Sequence, residues 1–371
     1  MRFDQSLATV PDRVETLSWL PHDPLLALVF QFGLLIIACS MLMLVAVFVL
    51  RIRLVLRQRR EKRFAAAWQP LLAECVYQVP ETLPQVPRAM RYHFLKLWNY
   101  HHESLVGSAR KNLEQLAYAL KLEEISRDLL HQSDLRSKLI AIVTLGHLGD
   151  RTQWHELRAL VADPSPMLSL AAVRALLDID AGATLTWLVT VMASREDWPL
   201  ARIVAMLKEA GPGRVTLPLI AATEAAAGVE GDARQVVRLL RMMEVAHTES
   251  IGAVVGRIVR AATDPEVVAA GLRLIQDPHD LELVRSHLAH ESWFVRVSAV
   301  RVLGRIGEPA DRVVLTNMLG DRHWWVRYHA ARALIALPFT SLADLEIIRA
   351  GLPDRFAADM LGQAIAEART A

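Results

Sequence analysis

Cysteine is scarce in this 371-residue sequence, which contains only Cys39 and Cys75. Cys39 lies inside a long apolar run and Cys75 lies well beyond it, so the pair predicts no disulfide framework. A free thiol at Cys75 fits a reducing compartment. The sequence therefore does not fit the class of small secreted domains that disulfides stabilise.

Recognisable catalytic and metal-binding motifs are also missing. The sequence has no glycine-rich phosphate loop of the P-loop form and no Gly-x-Ser-x-Gly nucleophile turn. A zinc protease helix requires His-Glu-x-x-His, whereas this chain reads His101-His102-Glu103, whose imidazoles would point about 100° apart on a helix. We therefore expect no enzymatic activity, no metal site and no cofactor.

Net charge is small, at +2, but it is unevenly distributed. Residues 1–50 carry a net charge of −2, and residues 51–63 carry seven basic residues against one acid, a net charge of +6. The rest of the chain therefore has a net charge of −2. Because a nearly neutral domain lacks the basic surface that binds nucleic acid, we expect no nucleic-acid partner.

Charged residues are absent from Leu25 to Leu50, where Gln31 and Ser40 are the only clearly polar side chains. A helix of this length measures about 39 Å, against a hydrocarbon core of roughly 30 Å. A signal peptide has a shorter apolar region, and a buried core helix rarely lacks a polar face over such a length. The run therefore predicts an uncleaved transmembrane helix over 25–50.

Basic residues that flank this run predict its orientation. Two precede it and seven follow it, so the positive-inside rule places residues 1–24 outside and the C-terminal domain in the cytoplasm. We expect a single-pass protein of a bacterial inner membrane. The basic segment, 51–63, either signals topology alone or also binds anionic lipid. Its candidate membrane-surface residues are Arg51, Arg53, Arg57, Arg59, Arg60, Lys62 and Arg63.

Residues 64–130 predict an irregular helical linker region. A first helix is expected over about 61–77, and three prolines between Val79 and Pro87 predict a non-helical connection after it. Further helices are expected from Pro87 onward and over about 109–120.

From residue 131 the chain repeats itself with a 31-residue period. The segments Glu291–Gly304 and Asp321–Leu334 share Trp, Val-Arg, Ala, Arg and Leu at this offset, and divergent copies fit 232–244 and 264–276. We predict about seven helix pairs over 131–337, within a domain, 131–371, that ends in a terminal helical cap.

The pattern Val-Arg-x-x-Ala-x-x-Val-Leu at Val295–Leu303, followed by Gly304-x-Ile-Gly307, resembles the HEAT-like repeats named for phycobilisome lyases. The resemblance implies an all-α fold with one N-terminal transmembrane helix followed by an α-solenoid of HEAT-type repeats. Lyase activity is not implied, because nothing in the sequence marks a chromophore site, and such stacks serve many partners.

A second resemblance involves the stretch from Trp98 to Gly107. It is similar to the segment before the repeats in bacterial membrane-anchored HEAT proteins that accompany envelope glycosyltransferase systems. This resemblance implies a role beside such a system.

Small and charged residues within the repeats predict structural roles. Alanines 141, 172, 299 and 330 allow paired helices to approach closely, and Gly146 and Gly304, with Gly149 and Gly307, are expected to end the second helices. Acids and arginines are expected to form a polar ladder along the inter-helix turns, comprising Glu291, Arg296, Asp321 and Arg327.

Tryptophan and arginine at equivalent repeat positions indicate a partner-binding surface. Trp324 and Trp325 are adjacent at a helix start and cannot both point into the core. Exposed Trp beside Arg is typical of protein-binding hot spots, although the rings could instead pack under the turn. The second-helix arginines would suit an acidic partner segment or a phosphate group, or could form a solvated face. The candidate partner-binding residues are Trp293, Trp324, Trp325, Arg301, Arg332 and Arg305.

The sequence thus favours a membrane-anchored scaffold whose cytoplasmic repeats bind a partner protein, such as a membrane-associated enzyme. One alternative is an accessory subunit of an envelope polysaccharide or glycosyltransferase system. Another is a tethered HEAT-fold enzyme or nucleic-acid binder, which the missing motifs and the neutral repeats disfavour.

Overall fold

The computed structural model describes residues 24–80, 82–228 and 232–370. These residues form helices and connecting turns, with no β-strand among them. The predicted all-α class is confirmed for this part of the chain. The predicted extracytoplasmic segment lies, up to residue 23, outside the described residues.

The first helix, α1 (Pro24–Glu74), contains both the apolar run and the basic segment. The sequence predicts a separate helix over about 61–77, but α1 continues without a break because 51–69 contains neither Gly nor Pro. An ion pair of 2.9 Å between Arg57 Nε and Glu61 Oε1, one turn apart, also supports it. The apolar run and the first packed residues therefore belong to one helix.

Among the described residues, two helices are long and apolar enough to cross a membrane. In α1, from Leu28 onward, none of the apolar window is buried within the protein. In the second, Pro166–Ser194, half of the window is buried, as expected of a core helix. By length and composition alone, α1 fits a membrane span or a signal sequence.

In the region after α1, the first helix packs onto the C-terminal turns of α1. This region consists of α2 (Arg91–Ser104), α3 (Ser108–Ala119) and α4 (Leu122–Leu130). Trp68 of α1 meets Phe94 of α2 edge to face, with ring centroids 4.6 Å apart, and both rings are buried. The predicted proline-rich connection is non-helical where it is described, and the predicted start near Pro87 and the helix over 109–120 are confirmed within a few residues.

Fourteen helices follow in the described part of the chain. They are α5 (Leu135–Leu148), α6 (Trp154–Leu160), α7 (Pro166–Ser194), α8 (Leu200–Ala210), α9 (Pro212–Ala226), α10 (Ala233–Met242), α11 (Thr248–Ala261), α12 (Pro265–Leu274), α13 (Leu281–Ser286), α14 (Trp293–Ile306), α15 (Asp311–Met318), α16 (Trp324–Ala336), α17 (Leu342–Gly351) and α18 (Arg355–Thr370).

Alternate helices pack against each other, so that α10, α12, α14, α16 and α18 form a continuous row. We call these the second helices, together with α5, α8 and the first half of α7. The backbone of α7 leaves the helical conformation at Asp180, which divides it into two repeat helices. Asp232 and Asp264 cap α10 and α12 by accepting hydrogen bonds from the backbone amides that follow, as expected of Asp before a helix.

The residues that recur at the 31-residue offset lie in the hydrophobic core. The register leucines and alanines are fully buried, as expected: Leu145, Leu176, Leu207, Leu303, Leu334, Ala141, Ala172, Ala299 and Ala330. Ile365 of α18 follows Leu334 at the same offset that separates Leu334 from Leu303, and it is also buried. The helices predicted as a terminal cap therefore keep the register of the repeats.

The predicted role of two glycines is wrong. Gly149 and Gly307 do follow the ends of α5 and α14, but Gly146 and Gly304 lie inside these helices. A Cβ on Gly304 would lie 2.7 Å from Ala333 Cα, so this glycine permits close packing of neighbouring second helices.

Candidate partner-binding surface

Two adjacent tryptophans begin α16, and both are half-exposed. Trp324 is 54% exposed and Trp325 is 45% exposed, with ring centroids 4.7 Å apart and planes at 79°. The sequence predicts that at least one of the two is exposed, and in the structure both are. The alternative, in which the rings pack under the turn, does not describe this helix.

Neighbouring rings hold Trp324 and Trp293 in place. Trp324 stacks on Tyr328 at 5.4 Å with planes 8° apart, and Trp293 of α14 stacks on His323 at 4.4 Å. Stacking limits the rotamers of large side chains before any partner binds, which lowers the entropic cost of association.

Trp293 is 39% exposed as well, and a further exposed aromatic side chain that was missed in the sequence extends this surface. Phe356, near the start of α18, follows Trp325 at the repeat offset and is 75% exposed. Because α16 packs against α18, the two residues occupy equivalent positions on neighbouring helices. The repeat offset alone could have identified it. We call Trp324, Trp325 and Phe356 the aromatic row.

The same repeat position is not exposed throughout. Trp198, before α8, is buried and donates a hydrogen bond of 3.0 Å to Ser169 Oγ, while Phe294 of α14 is partly buried. An exposed aromatic side chain at this repeat position is therefore a feature of the C-terminal helices.

A basic groove lies along the second helices. Its larger part, about 760 Å³, is lined by residues of α14, α16 and α18 that include Arg301, Arg332 and Glu367. A second part, about 500 Å³, lies beside α12 and α14 and shares Arg301 while adding Arg273. We call these two parts together the arginine groove.

The arginines of this groove differ in their partners. Arg301 forms no ion pair or hydrogen bond with the described residues, whereas Arg332 donates a hydrogen bond of 3.1 Å to the Tyr328 hydroxyl. Arg305 donates to the carbonyls of Ile275 and Arg273, at the end of α12. These contacts join α14 to α12, and Arg305 also lines both parts of the groove, so its role toward a partner stays a prediction.

Charge repulsion in the arginine groove affects two further groups. Burial, followed by the charge of Arg301, lowers the pKa of Arg305. Burial, followed by the charges of Arg301 and Arg332, lowers the pKa of His329 from its usual 6.5, so its imidazole is neutral at neutral pH. The positive charge facing the groove is thus carried by arginine.

The residues expected to form a ladder lie together at the turns. Arg296 pairs with Asp321 of the next repeat through two contacts of 2.8 Å, with side chains 5% and 9% exposed. Arg327 contacts Asp354 at 3.3 Å and the Asp321 carbonyl. Glu291 takes part through its backbone carbonyl, which accepts from Arg296 at 2.9 Å, and not through its carboxylate.

Opposing effects act on the Asp321 carboxyl. Burial raises its pKa, but hydrogen bonds from Arg296 and the His323 amide, with the charge of Arg296, outweigh burial. The pKa of Asp321 therefore lies below its usual value, and the ion pair persists at neutral pH.

The basic residues after the apolar run are all exposed on α1. They occupy several faces of the helix, as their spacing requires, and Arg57 contacts Glu61.

A stacked histidine pair, of which His102 is buried and His147 partly buried, joins α2 to α5, and no sequence pattern indicated it. The rings of His102 and His147 stack at 4.5 Å, and Trp98 stacks on His102 at 4.9 Å. His147 Nδ1 lies 3.1 Å from Asn99 Oδ1. Burial, followed by the charges of His102, Arg174 and Arg110, lowers the pKa of His147 to about 4.

Residues 257–335 match the family model for HEAT repeats, from within α11 to within α16. This match and the all-helical structure support a HEAT-like repeat protein. HEAT repeats generally mediate protein–protein interaction. No curated protein matches the chain.

Proposed function

We propose that this protein is a single-pass membrane-anchored scaffold of the bacterial inner membrane. Its N-terminus lies outside, and its HEAT-type helices form a cytoplasmic α-solenoid that binds a partner protein. The partner is a cytoplasmic protein or the cytoplasmic part of another membrane protein, such as a membrane-associated enzyme, which the scaffold would hold near the bilayer. The function is binding, without catalysis.

The aromatic row carries this proposal. Three large aromatic side chains are exposed on two neighbouring helices, and Trp324 is already stacked in place. Aromatic side chains near arginine dominate the energetics of protein interfaces, and exposed clusters of this kind mark interaction sites. In a fold whose repeats generally mediate protein interaction, this surface is the best candidate.

The continuity of α1 supports the anchor. Phe64 is the first α1 residue that packs on the core, whereas the apolar run ends at Leu50. A helix rises about 1.5 Å per residue, so the repeats would begin roughly 21 Å beyond the apolar run. The first of the intervening basic residues would then lie at the level of the lipid headgroups, where each contributes about 1 kcal/mol of attraction to an anionic surface, and the attraction would decline toward Arg63.

Co-purification from detergent-solubilised membranes tests the proposal. The variant Trp325→Ala with Phe356→Ala should lose the co-purifying partner and keep its melting temperature within a few degrees, because both side chains are exposed. Leu217→Ala, which removes an exposed apolar side chain of α9, is the matched control and should retain the partner. Retention of the partner by the folded double variant would refute this surface as the binding site.

A further inference from the structure

We infer that the arginine groove binds an extended, carboxylate-rich peptide segment. The inference rests on the proposed function, since it names the chemistry of the partner segment. The repeats of this chain differ in how they neutralise an arginine at an equivalent position, and this difference supports the inference.

In one N-terminal repeat the equivalent position also holds an arginine, which is neutralised within the protein. Arg174 of α7 occupies the repeat position of Arg301 and Arg332, two residues before the register leucine. It pairs with Asp178, one turn later, at 3.3 Å, and also with Glu209. No positive charge is left there for a partner.

In the C-terminal repeats the acid one turn after the arginine is missing. The position four residues after Arg301 is Arg305, and the position four residues after Arg332 is Ala336. Arg301 thus faces another cation, whose pKa its charge lowers. Arg332 bonds to the Tyr328 hydroxyl, and the charge of Glu367 on α18 has a smaller effect on its pKa. The guanidinium of Arg301 is therefore left to pair with an external anion, and Arg332 lies beside it on the next helix.

The shape of the groove favours a chain over a single small anion. Arg273, Arg301 and Arg332 belong to α12, α14 and α16, which are successive packed helices. Packed helices lie about 8–10 Å apart, so the arginines form a row that is longer than one phosphate group can bridge. An extended peptide, which advances about 3.3 Å per residue, can place a carboxylate at each arginine.

The other charges around the groove favour a short acidic segment over a nucleic acid. Glu244 lines the α12 side and Glu367 the α18 side, and His329 between them is neutral at neutral pH. The basic stretch is therefore bounded by acids at both sides. A nucleic acid would need a longer basic path for its phosphates.

Binding of fluorescein-labelled octaglutamate to the detergent-solubilised full-length protein tests this inference by fluorescence anisotropy at low salt. Ala336→Asp recreates the neutralised arrangement of Arg174 while keeping every arginine. It should weaken binding by about fivefold or more, whereas the uncharged Ala336→Asn should bind like the wild type.

A second pair of variants removes charge directly. Arg301→Gln with Arg332→Gln should weaken octaglutamate binding by about tenfold or more, because each guanidinium forms charge-assisted hydrogen bonds. Arg214→Gln with Arg355→Gln removes the same charge from exposed positions outside the groove and should change binding less than about twofold.

Several results would overturn the inference: equal binding by Ala336→Asp and Ala336→Asn, unchanged binding by the arginine variant, or tighter binding of a single-stranded oligothymidylate than of octaglutamate. The proposed function can be judged separately. If octaglutamate does not bind but the partner still depends on Trp325 and Phe356, the groove inference fails and the scaffold proposal stands.

Discussion

Gly304 of α14 lies so close to Ala333 of α16 that a Cβ on the glycine would come within 2.7 Å of the alanine Cα. The same relationship recurs between Gly146 and Ala175, in which the distance is again 2.7 Å. Neighbouring second helices thus approach through a glycine and an alanine in at least two places. The contact of Gly304 with Ala333 sets the spacing of α14 and α16, two of the helices that line the arginine groove.

Gly304→Ala should therefore destabilise the protein by about 1–3 kcal/mol, although alanine favours helix formation, because the added methyl group overlaps backbone of α16. Gly252→Ala, in α11, makes the same chemical change where nothing lies within 4 Å of the new Cβ. It should leave stability unchanged or raise it by about 0.5–1 kcal/mol. Chemical denaturation of both variants measures the difference, and equal stabilities would contradict the packing described.

Removing the ladder acid Asp321 should be costly. Asp321→Ala leaves the Arg296 guanidinium nearly buried without its carboxylate, which typically costs about 3–5 kcal/mol. Asp359→Ala breaks an exposed pair with Arg355, 3.8 Å apart, and should cost less than about 1 kcal/mol. A cost for Asp321→Ala as small as that of the control in thermal melts would show that the ladder does not stabilise the turns.

Acid should destabilise the junction between α2 and α5. Because the folded pKa of His147 is about 4 and its usual value is 6.5, the unfolded chain binds more protons between these pH values. The contribution of neutral His147 to the free energy of unfolding is therefore fully present above about pH 6.5. It declines as pH falls toward 4, by up to about 3 kcal/mol.

The variant His147→Gln isolates this effect. The free energy of unfolding should fall less between pH 7 and pH 4.5 in this variant than in the wild type, when both are followed by urea denaturation. Parallel pH profiles for the two proteins would mean that the stacked pair does not titrate with folding.

The orientation of α1 can be tested with fusions at the C-terminus. Seven basic residues follow the apolar run and two precede it, so a C-terminal alkaline phosphatase fusion should be inactive and a fluorescent-protein fusion should be bright. An active phosphatase fusion would reverse the proposed topology.

Part of this structure can be predicted from the sequence because the buried residues recur at a fixed offset along the chain. The burial of Leu303 and Ala299 recurs at Leu334 and Ala330, and extending the same offset leads to Ile365, as it leads from Trp325 to Phe356. The role of Gly304 did not follow, because a glycine near Leu-Gly-x-Ile-Gly resembles a helix end and its true neighbour lies on another helix.

Other features depend on residues that are far apart in the chain. The stacking of His102 on His147 follows from the packing of α2 on α5, which no local pattern encodes. Arg301 and Arg305 look alike in sequence and both line the groove, yet Arg305 bonds to carbonyls at the end of α12 while Arg301 has no such contact among the described residues. Their separate roles become visible only when the neighbouring helix is in place.

Site-specific photo-crosslinking in intact cells tests most directly whether the aromatic row binds a partner protein at the membrane. A photoreactive phenylalanine analogue at position 325 or 356 should form a discrete protein adduct in the membrane fraction. The same analogue at position 217, on the exposed surface of α9, should form none. Adducts that are absent at 325 and 356, or identical at all three positions, would contradict the account.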